Sequence, residues 1–305
     1  MSRSSSVELV LLSESDQSSS IAAAAAVLSQ RGVQVVNRRA VAVNRFRAVV
    51  CALETAAPVD WRETTLALRP LQSRGGVDLA VVPEDPARRA PRVLVIDMDS
   101  TLVQSEGIDE LAKEAGVGEQ VAAITRRAMN GELDFPRALR ERVGLLRGLS
   151  EEALARVEAR THLTPGAEIL LATLRKVGCA TAVVSGGFDY FTDRLKVRLG
   201  LDHAVANRLE IQGGRLTGRL VGDIVDGSRK AAMLDELADV YGVNRDRVIA
   251  IGDGANDLPM LNRAGLGIAF CAKPAVREAA PVTVSVKDLS AVLCLLGYRE
   301  TEFAA

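Results

Sequence analysis

Residues 92–103 read RVLVIDMDSTLV. The run 92–97 is continuously apolar after its arginine and ends on a carboxylate, the pattern of a parallel strand buried on both faces. In open α/β sheets, ligands lie beyond the carboxyl ends of the strands. The residues that leave this strand, Asp97-Met98-Asp99-Ser100-Thr101, therefore stand where chemistry is expected. Two acids at such a place can serve as nucleophile and as acid/base. Asp, Ser and Thr also start helices as N-caps, and this stretch alone leaves both readings open.

Working outward toward the C-terminus, Ile108, Leu111, Ala112 and Ala115 make one apolar helical face, and Gly116 sits where a helix ends. Further helices are predicted over 119–129, 134–146 and 150–159. This helical block, about 103–160, interrupts the sheet after its first strand and is expected to be an inserted cap. Leu170, Leu174 and Val177 mark the next helix. Residues 180–185 (ATAVVS) form a strand, 208–221 a hairpin turning at Gly213 and Gly214, and 247–252 (RVIAIG) another strand. Leu234, Leu237, Ala238 and Tyr241 define a helix after Ser228. Strands at 266–270 and 282–286 follow, and Leu289, Val292, Leu293 and Leu296 form a last helix. Strands alternating with helices predict a parallel, Rossmann-like α/β sheet.

Toward the N-terminus the order differs. Strands are predicted at 7–12, 33–42, 46–53 and 77–82, and helices at 18–31 and 60–73, with Gly32 ending the first helix. This β-α-β-β-α-β order is the ferredoxin-like α+β unit. Residues 83–92 (PEDPARRAPR) carry three prolines and several charges, a linker composition. The expected organisation is a small domain over 1–84, a linker over 85–91 and an α/β domain over 92–305. The small domain is expected to fold separately and to be dispensable for chemistry. Its bare sheet face and open edge suggest a homodimer formed through it.

The chain has 305 residues, which suits about two domains at roughly 150 residues each. Lys+Arg 38 against Asp+Glu 39 gives a net charge of −1, and with no basic run this excludes a phosphate-backbone partner; no nucleic acid is expected. Aromatic residues are 3%, too few for a base-stacking platform. The two histidines, His162 and His203, exclude a poly-histidine metal site. Cys51, Cys179, Cys271 and Cys294 form no CxxC pair and read as plain thiols of a reducing compartment. The apolar runs at 7–12 and 21–28 are too short for a signal core or a membrane span. The expected location is cytoplasmic, with no membrane partner.

Three further strand ends or helix starts carry candidates. Ser185-Gly186-Gly187 offers a hydroxyl and unobstructed backbone N–H groups to a phosphate oxygen, or is an ordinary strand–helix turn. Lys230 stands in the first turn of a helix, where a cation opposes the helix dipole and a nearby anion would explain it. Gly252-Asp253-Gly254-Ala255-Asn256-Asp257 adds two acids to the same sheet edge. Asp97, Asp99, Asp253 and Asp257 together would repel one another, and a divalent cation with Lys230 would relieve that. Oxygen-rich ligation without histidine favours Mg²⁺ over Zn²⁺.

The order DxDxT, SGG, Lys, GDGxND, each at a strand end or helix start, resembles the haloacid dehalogenase superfamily of aspartyl-phosphate phosphatases. The resemblance implies a Mg²⁺-dependent enzyme in which Asp97 attacks phosphorus and Asp99 protonates the leaving oxygen, then activates water. It implies that Ser185 and Lys230 hold the phosphoryl oxygens, with Gly186, Gly187 and Asn256 beside them. It also implies that Asp253 completes the metal site with Asp97 and the Asp99 carbonyl; Asp257 is a further metal candidate. More narrowly, residues 97–112 (DMDSTLVQSEGIDELA), 135–146 (FPRALRERVGLL), 185–188 (SGGF) and 251–261 (IGDGANDLPML) look like the phosphoserine phosphatase family over about 92–297. That likeness assigns Glu106 to a substrate ammonium, Arg142 to its carboxylate, and Met129 and Phe135 to the cap pocket. It implies hydrolysis of O-phospho-L-serine to L-serine and phosphate through an aspartyl phosphate, the last step of serine synthesis. The alternatives are a related phosphatase or phosphotransferase on another small phosphorylated amino acid, or an inactive serine-sensing protein. The intact Asp97, Asp99, Lys230 and Asp253 speak against the last. The N-terminal unit resembles an amino-acid-sensing ACT domain, though residues 13–20 (SESDQSSS) lack the loop glycine common in that family.

Overall fold

The computed structural model describes residues 7–14, 18–43, 46–84 and 86–304. Two sheets organise it. The first contains β1 (Val7–Ser13), β2 (Val33–Val43), β3 (Phe46–Thr55) and β4 (Val77–Pro83) in the order β2-β3-β1-β4. All its pairings are antiparallel. This is the expected ferredoxin-like order. Alternation divides β1 between two cores. Val7, Leu9 and Leu11 pack with Ile21, Ala24, Leu28 and Leu68 of the helices Ser18–Ser29 and Trp61–Gly75. Val10 and Leu12 belong to a second core on the opposite face.

That opposite face, which the sequence reading leaves bare for a partner subunit, is covered within the chain. The same core takes in Leu289 and the buried run Ala291–Leu296, and the helix Ala291–Leu295 packs on β1 and β3. Polar contacts sew the junction. Thr283 Oγ1 donates to Gln72 Oε1 at 2.9 Å, and Arg62 Nη2 donates to the Ala264 and Gly265 carbonyls at 2.9 and 3.1 Å. The proline-rich segment is also docked. It holds a one-turn helix, Pro86–Arg89, in which Arg88 pairs with Glu8, while the Arg89 carbonyl accepts from the Tyr298 hydroxyl.

The second sheet contains β5 (Val93–Ile96), β6 (Ala180–Phe188), β7 (His203–Gln212), β8 (Arg215–Val221), β9 (Val248–Gly252), β10 (Leu266–Phe270) and β11 (Val282–Val284). Its order is β11-β10-β9-β5-β6-β7-β8. Every pairing is parallel except the β7–β8 hairpin, whose turn has Gly213 and Gly214 at φ 57° and 71°, backbone that favours glycine. β5, fully buried, is central. Ser185-Gly186-Gly187 is not a turn: it remains extended as the end of β6, and the helix begins only at Asp189. Four helices form the insert: Gly107–Glu114, Gly118–Met129, Phe135–Gly144 and Glu151–Arg160. The insert is tied to β8 by Gly148 N–H to Leu216 O (2.8 Å) and Leu216 N–H to Leu149 O (2.9 Å). All four cysteines are free thiols, and only Cys271 is exposed. No helix among the described residues is long and apolar enough to cross a membrane.

Because one core spans both sheets, they are expected to unfold together. Leu293→Ala should cost about 2–5 kcal/mol, and urea transitions followed by tryptophan emission from the N-terminal unit and by far-UV circular dichroism should coincide. Two separated transitions would show independent domains.

Candidate active site

The central strand delivers Asp97 to the carboxyl edge of the sheet, where it is 5% exposed. The N-cap reading of this residue is realised too: its Oδ1 accepts the Met98 N–H at 2.8 Å. The chain then makes a wide turn through Ser100, whose φ of 56° is left-handed. This turn brings the Ser100 hydroxyl to Glu106 Oε1 at 2.6 Å. Asp99 Oδ1 accepts the Gly107 N–H at 2.8 Å, and Oδ2 accepts the Ser185 hydroxyl at 3.3 Å. Ser185 is fully buried and in turn accepts the Gly187 N–H at 2.8 Å. Glycine is required at 187, because a Cβ there would collide with the Asp99 carboxylate.

Lys230 enters from the helix Gly227–Val240 and is 0% exposed. Its Nζ lies 2.7 Å from Asp97 Oδ1 and 2.7 Å from Asp257 Oδ1. Asp257, also fully buried, uses its other oxygen to accept the Gly254 N–H at 2.9 Å. It packs so closely on Gly252 that a Cβ there would strike the carboxylate. Asp253 accepts the Thr101 hydroxyl at 3.3 Å. Carboxylate oxygens of Asp97, Asp253 and Asp257 all lie within 4.8 Å of one another. The Asp99 carboxylate is not part of that group.

The electrostatics follow from burial. Asp97 is pushed well above the ordinary carboxylate range by desolvation and then by Asp257, with Lys230 opposing. Desolvation, then the charge of Glu106, raises Asp99 to about 7. Asp253 is also raised to about 7, by desolvation and then by Asp257. Burial alone would depress Lys230, yet Asp257 and Asp97 hold it above an ordinary lysine. The site therefore keeps one ammonium charged and carries acids that titrate near neutrality, so that a cation competes with protons there and is favoured as pH rises.

Above this edge lies a cavity of about 590 Å³ shared with the insert. Its lining unites Asp97, Asp99, Ser185, Gly186, Gly187, Asp253 and Asn256 below with Glu106, Met129, Phe135 and Arg142 above. Lys230 and Asp257 lie beneath the floor. Phe135 reaches down to the strand end, where a Cβ on Gly186 would stand 2.8 Å from its Cζ. Met129 is 63% exposed at the mouth. Arg142 is part-buried, its Nε donates to the Ala138 carbonyl at 3.3 Å, and it makes no ion pair among the described residues. Lys273 also lines the cavity. The sequence reading passes over it, although it follows β10 and the strand-end rule applied there would have found it.

The haloacid dehalogenase-like hydrolase family matches residues 94–262. The chain belongs to that family. A phosphoserine phosphatase of Archaeoglobus fulgidus is 50% identical over 237 residues, which are 78% of this chain and 69% of that one. A haloacid dehalogenase-family hydrolase from Salmonella enterica serovar Typhi superposes with a TM-score of 0.83 at 33% identity, covering 95% of this chain and 98% of its own. That coverage takes in both sheets. A phosphoserine phosphatase solved as a phospho-aspartyl intermediate analogue gives 0.64 at 44% identity, over 67% of this chain and 98% of that one. The chain spans 56 to 71% of the length of the first three curated relatives.

In this hydrolase Asp99 and Asp253 take up protons on folding, because their ordinary value of 3.8 rises to about 7. Between about pH 4 and 7 their contribution to stability is lost as pH rises. Metal-free protein is expected to show a higher Tm near pH 5 than near pH 8 on account of these groups. Added Mg²⁺ should raise Tm more at the higher pH, and Asp253→Asn should shrink both effects. A Mg²⁺ shift that did not vary with pH would contradict this account.

Proposed function

We propose that the chain hydrolyses O-phospho-L-serine to L-serine and phosphate, as a Mg²⁺-dependent phosphatase working through an aspartyl phosphate on Asp97. The observation that carries this reading is the presence, in one cavity above the Asp97 edge, of Glu106 and of an Arg142 that has no ion-pair partner among the described residues. Phosphoserine presents a carboxylate, an ammonium and a phosphate. Arg142 suits the first, Glu106 the second and the sheet edge the third. The name of the Archaeoglobus relative, at 50% identity, supports the same substrate. The reaction would be the last step of serine biosynthesis.

Asp97 and Asp253 offer oxygen donors that fit Mg²⁺, with Asp257 in the same cluster although both of its oxygens accept from Lys230 and Gly254. In this reading Asp99 contributes its carbonyl, since its carboxylate is engaged by Gly107 and Ser185. When bound, the ion offsets negative charge on the transferring phosphoryl group. Asp97 Oδ1 is occupied by Met98 N–H and Lys230, so Oδ2 is the oxygen assigned to attack phosphorus. As the new O–P bond forms and the bond to the serine oxygen breaks, Asp99 delivers its proton to that oxygen. A value near 7 lets Asp99 hold the proton at neutral pH and accept one back. The resulting Asp99 carboxylate then takes a proton from water, and the water oxygen attacks phosphorus to release phosphate and free Asp97. Lys230, held by Asp97 and Asp257 beneath the cavity floor, places its positive charge behind the position of the phosphoryl group. Ser185, Gly186 and Asn256 line the same cavity.

Phosphate release should be measured on O-phospho-L-serine, phosphothreonine and an aryl phosphate, with Mg²⁺ and with EDTA. Phosphoserine is expected to be the preferred substrate and EDTA to stop turnover. Asp97→Asn should abolish activity with an unchanged circular dichroism spectrum, because the amide is not a nucleophile. Arg142→Ala should lower kcat/KM for phosphoserine by about 100-fold, roughly 3 kcal/mol, and for the aryl phosphate by less than about tenfold. Equal losses on both substrates would make Arg142 structural and remove the basis of the substrate assignment.

A further inference from the structure

Six buried side-chain atoms lack a hydrogen-bond partner among the described residues, and three of them belong to two arginines that border one cavity. The cavity, about 130 Å³, lies between the two sheets and far from the catalytic edge. Its apolar walls include Trp61, Pro83 and Leu296, and its polar lining is Arg88, Arg247 and the exposed Asp246. The Arg88 side chain is 9% exposed. Its Nη2 is taken by Glu8, but Nε and Nη1 have no partner. Arg247 donates from Nη2 to the Ala90 carbonyl and leaves Nε unmatched.

Buried donors are matched by protein, water or ligand in native structures. The acids nearby do not supply the match. Glu8 already serves Arg88 and lies 3.6 Å from Arg39. Glu84 and the rim residue Asp246 make no ion pair with either arginine among the described residues. The unmatched donors come from two guanidinium groups on different elements, and a planar carboxylate is the acceptor whose geometry suits them. Apart from the exposed Asp246, the remaining lining side chains are apolar, which favours a short organic body over an inorganic oxyanion.

We propose that this interdomain cavity binds a small organic carboxylate held between Arg88 and Arg247. The position gives the site leverage. Arg88 precedes β5, whose far end carries Asp97, and Arg247 precedes β9, whose far end carries Asp253. An occupant would clamp the roots of both strands to the N-terminal sheet. The proposal does not depend on which phosphate ester the enzyme hydrolyses.

Trp61 is the single tryptophan of the chain and lines this cavity, so its emission reports on the site directly. The full-length protein should be titrated with propionate, with inorganic phosphate and with chloride at constant ionic strength. A saturable change in Trp61 emission is expected with propionate, together with a raised Tm. Arg247→Gln, which keeps an amide donor for the Ala90 carbonyl, should weaken that response at least tenfold while leaving phosphatase turnover without propionate unchanged. Arg88→Gln should do the same if it folds, and Arg247→Gln decides the matter if it does not. Arg142→Ala should keep the response, which separates this site from the catalytic cavity. Absence of a saturable response to propionate, or an undiminished response in folded Arg247→Gln, would overturn the site. Saturation by phosphate in place of propionate would overturn the carboxylate class.

Discussion

A buried ammonium between two buried carboxylates holds the centre of this protein in place. Lys230, Asp97 and Asp257 are withdrawn from water on three different elements: the end of β5, the turn after β9 and the first turn of the helix Gly227–Val240. Each charge is tolerable only because the others are within hydrogen-bond reach, and removal of one partner from such a group leaves an uncompensated charge in a low-dielectric interior. The constraint propagates outward. Asp257 can approach only because residue 252 is glycine. Asp97 can present one oxygen to the cavity because Lys230 and Met98 N–H occupy the other.

Two aspartates separated by a single residue acquire different surroundings from this arrangement. Asp97 faces the ammonium and the acids of the β9 edge. Asp99 sits between the Gly107 N–H and the Ser185 hydroxyl. Its raised titration comes from burial and then from Glu106 on the insert. A group that senses Glu106 is thereby coupled to the part of the molecule that closes the cavity from above. Separation of roles by environment, on side chains of identical type, is a general way to place an acid beside a nucleophile.

The N-terminal sheet shares an apolar core with the α/β sheet. Its strand β1 is apolar on both faces because helices cover one and residues 289–296 cover the other. The segment whose prolines and charges suggest a linker is pinned by Glu8, Tyr298 and Arg247. The roots of β5 and β9 thus rest on this sheet, while their opposite ends carry Asp97 and Asp253.

Much of the site could be read from the chain because its parts are local. A buried parallel strand is a short apolar run, and the residues that follow it are the ones that reach the sheet edge; this places Asp97, Asp99, Ser185 and Asp253 without further information. The βαββαβ order and the four-helix insert are likewise carried by periodicities of two and 3.6 residues. Other features needed the tertiary structure. The continued extension of β6 through Gly187, the left-handed Ser100 and the divergence of the two aspartates depend on contacts with Phe135, Glu106 and Ser185. The burial of Lys230, the entry of Lys273 into the cavity and the covering of β1 by Leu289–Leu296 depend on which faces meet. Periodicity encodes that a side chain is buried; what it is buried against is set by packing between elements far apart in sequence.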